Sequence, residues 1–62
     1  MSTNLVEISV EVQRETEKAY LCFDGKVQAW ISKSQITDYS EEKGKITSIF
    51  IQEWLAFEVN FL

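Results

Sequence analysis

The sequence predicts a small, mainly β domain with a short C-terminal helix, and three patterns support that prediction. Residues 6–12 alternate strictly between apolar and polar side chains, which is the period of a half-buried strand. Asp24 and Gly25 separate two apolar runs, an arrangement typical of a β-hairpin. Residues 46–51 are rich in β-branched side chains, which favour strands.

Residues 6–12 predict the first strand. One side of it would carry four β-branched residues: Val6, Ile8, Val10 and Val12. A helix would scatter these side chains around its circumference, whereas a strand collects them on one face. The polar residues 14–17 then predict a turn before the second strand.

The hairpin at Asp24 and Gly25 allows two registers. A two-residue turn would pair Phe23 with Lys26 and would mix apolar and polar side chains on both faces. A three-residue loop with a bulge and a left-handed Gly25 would shift the pairing by one residue. That second register collects one aliphatic face, and its members are Ala19, Leu21, Val27, Ala29 and Ile31. The opposite face then holds Tyr20, Cys22, Gln28 and Trp30. We predict the bulged register because it buries the aliphatic set.

The next segment predicts a helical turn between two strands. Ser32 and Gln35 have the spacing of a capping box, which predicts one helical turn over residues 33–36. Strand-like residues follow up to Ser40, and the polar residues 41–44 predict a turn that ends in glycine.

The last third of the chain predicts a strand and then a short helix. The strand covers residues 46–51, and residues 52–58 lose the alternation, so we predict a helix there. The apolar tail, residues 59–62, needs a surface to pack against. Together these elements are typical of a five-stranded antiparallel SH3-like barrel with a short C-terminal helix. The alternative is an open antiparallel sheet with the helix packed on one face.

Length and composition limit how such a domain is stabilised. The 62 residues suffice for one small domain over residues 1–62, and a domain of this size buries only about 60% of its unfolded surface. Cys22 is the only cysteine and histidine is absent, so an internal disulfide and a Cys-His zinc site are excluded. The sequence predicts no metal and no cofactor. Good packing or self-association remains, and a homodimer is one prediction.

The charge balance bears on partners. The chain has ten acidic and six basic residues, which gives a net charge of −4. Nucleic-acid-binding proteins, in contrast, usually carry a basic surface. We predict a protein partner, either a basic protein or a second copy of the chain, and not a nucleic acid. Residues 1–4 form a polar leader without the features of a signal peptide, and the apolar runs are too short to cross a membrane. With a lone thiol, these observations predict a cytoplasmic protein.

No pattern of residues points to catalysis. Histidine, the common general base, is absent. Cys22 lies beside Trp30 in the predicted register, and we interpret it as a packing position, since free cysteine is among the most buried residue types. The sequence therefore predicts a non-enzymatic interaction domain.

Surplus aromatic residues are the main interface candidates. With their polar neighbours, the predicted interface residues are Tyr20, Trp30, Lys33, Gln35, Trp54, Phe57 and Phe61. Tyr20 and Trp30 share a face in the bulged register, and such residues concentrate binding energy at interfaces. The structural alternative is that the C-terminal helix covers this face through Trp54 and Phe57. A functional alternative is a small barrel that stacks single-stranded nucleic acid on the two rings, with Lys26, Lys33, Lys43 and Lys45 nearby. A structural subunit of a larger assembly is the third hypothesis.

Two stretches carry a resemblance to known proteins. One runs from Glu15-Thr16-Glu17-Lys18-Ala19-Tyr20-Leu21 through Gly25 to Trp30-Ile31-Ser32-Lys33-Ser34-Gln35-Ile36, and the other is Glu53-Trp54-Leu55-Ala56. The chain resembles a group of small uncharacterised bacterial and phage-type proteins with the pattern Trp-x-Pro-Lys-Ser-Gln-Ile and a C-terminal Trp-Leu-Ala. The resemblance covers most of the chain and implies no activity. Ser32 stands where the group has proline, and the apolar residues 59–62 stand where the group has a polar end.

Overall fold

Residues 4–62, which a computed structural model describes, form six β-strands and one α-helix. The predicted polar leader lies outside these residues except for Asn4. The strands make two antiparallel sheets of three, in the orders β1-β6-β5 and β2-β3-β4. The elements are β1 (Leu5–Ser9), β2 (Glu11–Glu15), β3 (Ala19–Phe23), β4 (Gln28–Ser32), a 3-10 turn (Lys33–Gln35), β5 (Asp38–Glu42), β6 (Lys45–Gln52) and α1 (Glu53–Glu58).

The predicted strand of residues 6–12 is present but is divided between the two sheets. Its first part, β1, pairs with β6, and its second part, β2, pairs with β3. Between them, the Val10 N–H donates to the Thr47 carbonyl at 3.1 Å. The alternation is confirmed, since Ile8 and Val10 are buried while Glu7 and Glu11 are exposed. This division explains why six strands form where five were predicted.

One hydrophobic core lies between the sheets and under the helix. Its buried members are Ile8, Val10, Cys22, Ile31, Ile49, Ile51, Ala56 and Phe61. Among them, the large side chains of Ile31, Ile49 and Ile51 are almost completely shielded from solvent. Burying one such side chain stabilises the fold by about 1.5–3 kcal/mol. Both sheets therefore depend on the same core.

The predicted register of the β3–β4 hairpin is wrong. Tyr20 pairs with Ile31 and Cys22 pairs with Ala29, so these residues share the inner face. Leu21 pairs with Trp30 on the outer face. The loop is longer than predicted because the Asp24 carboxylate accepts the backbone N–H groups of Lys26 and Val27, each at 2.8 Å.

The predicted closed barrel does not form among the described residues. β4 and β5 are the outer strands of different sheets, and neither pairs with the other. The 3-10 turn connects them, which confirms the predicted helical turn. The predicted capping box is wrong, because the Ser32 side chain makes no capping bond and its Oγ lies 2.9 Å from the Ser34 Oγ.

The β5–β6 hairpin turns tightly at Lys43 and Gly44. Both residues have positive φ angles, 54° and 79°, as a type I′ hairpin turn requires. Glu42 pairs with Lys45 across this turn. The predicted turn over residues 41–44 is thus shorter than expected, because β5 continues to Glu42.

The predicted C-terminal helix is confirmed as α1. It begins after Gln52 and packs against β1 and β6. The chain then folds back, with the Phe61 N–H donating to the Ala56 carbonyl at 2.8 Å and the Asn60 N–H to the Phe57 carbonyl at 3.2 Å. These are the two bonds of a Schellman motif, with Asn60 in the left-handed conformation at φ 67°. Among residues 4–62, no helix has the length and apolar character to span a membrane.

Candidate protein-interaction surfaces

The seven interface residues predicted from the sequence do not form one surface. Tyr20 lies on the inner face of its sheet and Trp30 on the outer face, so the predicted pairing of these rings is wrong. Phe61 is only 8% exposed and belongs to the core, so its prediction as an interface residue is also wrong. The tail folds back at Asn60, and that turn carries Phe61 into the protein.

The outer side of α1 carries two large exposed aromatic side chains. Trp54 is 56% exposed and Phe57 is 57% exposed, and residues three apart on a helix are neighbours. We call these two side chains the aromatic face of α1. Leu5, which is 46% exposed, pairs with Gln52 directly before the helix. The structural alternative, in which Trp54 and Phe57 cover the face predicted to carry Tyr20 and Trp30, is therefore wrong.

A shallow groove adjoins the aromatic face of α1. It has a volume of about 260 Å³ and is lined by Asn4, Gln52, Glu53, Trp54 and Phe57. The Glu53 N–H donates to the Asn4 carbonyl at 2.8 Å, which fixes the start of the helix against the chain before β1. The aromatic rings are thus presented from a well-anchored element.

Trp30 forms a second, smaller exposed site. Its ring is 50% exposed on the outer face of the sheet β2-β3-β4. Leu21 lies opposite Trp30, and Arg14 lies opposite Leu21 on the next strand. This surface carries one large exposed ring, compared with two on α1.

Lys33 joins the 3-10 turn to strands β2 and β3. Its Nζ lies 2.5 Å from the Glu15 Oε2 and 4.8 Å from the centre of the Tyr20 ring. The hydrogen bond with Glu15 raises the pKa of Lys33. Gln35, at the end of the same turn, is exposed.

A larger groove between the two sheets was not predicted from the sequence. Its volume is about 610 Å³ and its lining includes Val12, Glu15, Tyr20, Glu41 and Ile46. Two β-bulges decide which residues face it, and a bulge leaves no mark in the alternation of apolar residues. We call it the inter-sheet groove.

Cys22 and Asp24 both have shifted pKa values, and each shift follows from a structural role. Burial raises the pKa of the Cys22 thiol to about 11, which keeps the thiol protonated and poorly nucleophilic. The Asp24 carboxylate is held in its turn, and the N–H groups of Val27 and Lys26 lower its pKa. Within residues 4–62, no group of three or more Cys, Asp or Glu side chains is arranged to hold a metal ion.

Comparison of the chain with protein-family models, curated proteins and solved structures finds no match. The resemblance of the Trp30–Ile36 segment to small bacterial and phage-type proteins stays a prediction.

Proposed function

We propose that this protein is a non-enzymatic interaction domain that binds another protein through the aromatic face of α1. The observation that supports this most directly is the exposure of Trp54 and Phe57 on the solvent side of the helix. The inner side of α1 already has packing partners within the protein, because Ala56 is fully buried and Leu55 packs on the core.

The outer side of a surface helix is normally polar, because only the inner side has a core to contact. On α1 that outer side carries two of the largest apolar side chains instead. Aromatic residues are enriched at the centres of interfaces, where their burial provides much of the binding energy. Leu5 and the adjoining groove extend the apolar surface beyond the two rings.

Charge favours a different protein over a second copy as the partner. Residues 52–62 contain Glu53 and Glu58 but no lysine or arginine. A symmetric dimer through this helix would bring these carboxylates close to their own copies, and like charges at an interface oppose association. A partner with basic residues around an apolar centre would meet complementary charges.

The single-stranded nucleic-acid hypothesis has less support. It required Tyr20 and Trp30 to lie side by side, and they face opposite sides of the sheet. Lys33 is engaged by Glu15, which reduces its availability for a phosphate. The chain also carries a net charge of −4.

Two finer expectations belong to this proposal. One is that the fold is related to SH3-like barrels. The β2-β3-β4 meander and the 3-10 turn before the last two strands support this relation. In that case the barrel is opened between β4 and β5. The other is a cytoplasmic bacterial or phage-related origin, which rests on the lone thiol and on the sequence resemblance.

The test is affinity capture with the unaltered protein and, in parallel, with the double variant Trp54→Ser/Phe57→Ser, followed by titration calorimetry of both proteins with each captured partner. Removing both rings should weaken binding of the true partner by at least about tenfold, since each hot-spot residue is worth about 2 kcal/mol. Thermal unfolding should change little, because both side chains are exposed.

Trp30→Ser is the matched control, because it removes a ring of similar exposure from the other sheet. A partner that binds the double variant as tightly as the unaltered protein would contradict the proposal. Light scattering over a range of concentrations tests the homodimer, which predicts a doubled mass that Trp54→Ser/Phe57→Ser abolishes.

A further inference from the structure

We infer that the inter-sheet groove binds a lysine or arginine side chain on an extended segment of a protein partner. The groove shares no residue with the aromatic face of α1, so this binding is independent of the function proposed above. Its volume of about 610 Å³ lies within the range of small-ligand sites, about 300–1,000 Å³.

A bulge in β2 turns a carboxylate towards the groove. Val12 pairs with Cys22, but beyond it Arg14 pairs with Leu21 and Glu15 pairs with Tyr20, so Gln13 is the extra residue. Tyr20 packs on the core from the inner face, and Glu15 therefore lies on that face as well. Regular pairing would have placed Arg14 opposite Tyr20. The bulge thus exchanges a cation for an anion at the groove, in line with the tendency of bulges to redirect side chains.

A second bulge, in β6, places an apolar side chain in the lining of the groove. Ser40 pairs with Ser48, but Glu41 pairs with Ile46, so Thr47 is the extra residue. Ile46 packs against the core and lines the groove, and Glu41 lines it from the neighbouring strand. Regular pairing would have set Thr47 opposite Glu41. Each bulge therefore sets one glutamate, Glu15 or Glu41, beside apolar side chains of the groove.

The contacts of Lys33 show how residues that line the inter-sheet groove bind an ammonium group. The Lys33 Nζ contacts the Glu15 carboxylate at 2.5 Å and lies 4.8 Å from the centre of the Tyr20 ring. Both Glu15 and Tyr20 line the groove. A carboxylate combined with an aromatic face attracts cations through charge and through the ring quadrupole.

Charge and shape together identify the occupant. Three glutamates and one lysine line the groove: Glu11, Glu15, Glu41 and Lys45. Acidic side chains still outnumber basic ones when Lys33, which contacts Glu15, is included. The stem of a lysine or arginine is apolar and its head is charged. Such a side chain would lay its stem on Val12 and Ile46 and bring its head to Glu41, which has no salt-bridge partner among the described residues.

The experiment is a two-dimensional NMR titration of the intact protein with the blocked peptide Val-Lys-Val-Lys-Val. Its counterpart Val-Gln-Val-Gln-Val serves as the neutral control. The lysine peptide should shift the amide signals of Val12, Ile46 and Thr47, and the glutamine peptide should not. Glu15→Gln/Glu41→Gln should weaken lysine-peptide binding by about fivefold, the effect of removing two partly solvated charges.

Glu17→Gln/Glu58→Gln is the matched control, because it changes the net charge equally at exposed glutamates outside the groove. Weakening that is confined to the groove variant supports the inference. Equal weakening in both variants would show non-specific attraction to an acidic protein and would overturn it. The absence of any amide shift at millimolar peptide would also overturn the inference. It would likewise be overturned if concentrating the protein without peptide produced the same shifts, because a second copy of the chain would then occupy the groove.

Discussion

Cys22 illustrates how one residue acquires its chemistry from its surroundings. Its side chain is completely shielded, and its thiol reaches only the Tyr20 carbonyl, at 3.8 Å. Burial disfavours the thiolate and raises the pKa to about 11 from the ordinary value of 9.0. The residue therefore contributes packing and not reactivity.

This environment predicts how Cys22 responds to pH and to alkylation. Because the folded-state pKa is raised, the stabilisation by the neutral thiol is complete below pH 9.0 and is lost as pH rises towards 11. Urea unfolding at pH 8 and pH 10 should show a larger loss of stability in the unaltered protein than in Cys22→Ala. Iodoacetamide at pH 8 should react only as fast as the protein unfolds.

Fast alkylation of the folded protein, or identical pH profiles for the two proteins, would contradict this account of Cys22. The comparison with Cys22→Ala is needed because lysines and tyrosines also titrate in this range.

At the level of elements, α1 depends on how it ends. Asn60 is exposed and takes the left-handed conformation after the last helical turn. Asparagine tolerates this conformation better than branched residues, and glycine tolerates it best. The position of Phe61 in the core follows from this single backbone turn, because the chain direction reverses there.

Substitutions at Asn60 should therefore change stability through the backbone alone. Asn60→Gly should leave the free energy of unfolding unchanged or raise it slightly, whereas Asn60→Val should lower it by about 1 kcal/mol. Thermal unfolding followed by circular dichroism measures both. A stable Asn60→Val protein would mean that the tail does not need the left-handed turn.

The sequence predicted the elements well and the β3–β4 register badly, for a physical reason. Strand β1 is polar on one side and apolar on the other, so its alternation specifies its inner face. Strand β3 reads Ala-Tyr-Leu-Cys-Phe, which is apolar on both sides, so alternation cannot choose between faces. The choice depends on the Asp24 side chain bonding two backbone N–H groups, a detail of geometry that composition does not reveal.

The candidate surfaces were predictable only in part. The exposed pair Trp54 and Phe57 was among the predicted interface residues, because the short chain has more aromatic side chains than its core needs. The inter-sheet groove was missed, because its glutamates are aligned by bulges at Gln13 and Thr47. Bulges follow from pairing between distant strands, which a single strand's sequence does not show.

On the scale of the whole molecule, few backbone hydrogen bonds connect the two sheets, but the sheets share one hydrophobic core. The Val10 to Thr47 bond connects them, and Ile31 from one sheet packs in the same cluster as Ile49 from the other. Shared burial of this kind makes unfolding cooperative, because neither sheet can keep its inner face covered alone. Four edge strands nevertheless have a strand partner on one side only among the described residues, β1 and β5 in one sheet and β2 and β4 in the other.

Native-state hydrogen exchange tests this cooperativity. The protected amides of β3 and β6, the central strands of the two sheets, should open with the same free energy. Ile31→Val should lower that energy equally in both strands, by about 1 kcal/mol. Two distinct opening energies, or a loss confined to β3, would show that the sheets unfold separately.

The extra residue Gln13 lies between the Val12–Cys22 pair, which packs in the core, and the Glu15–Tyr20 pair, which lines the inter-sheet groove. A shift of the strand end by one position would present Arg14 in place of Glu15 and leave the hydrophobic interior untouched. Inserting one residue after Gln13, with the bulge kept, would set Arg14 opposite Tyr20 and would replace an acidic lining residue of the inter-sheet groove with a basic one.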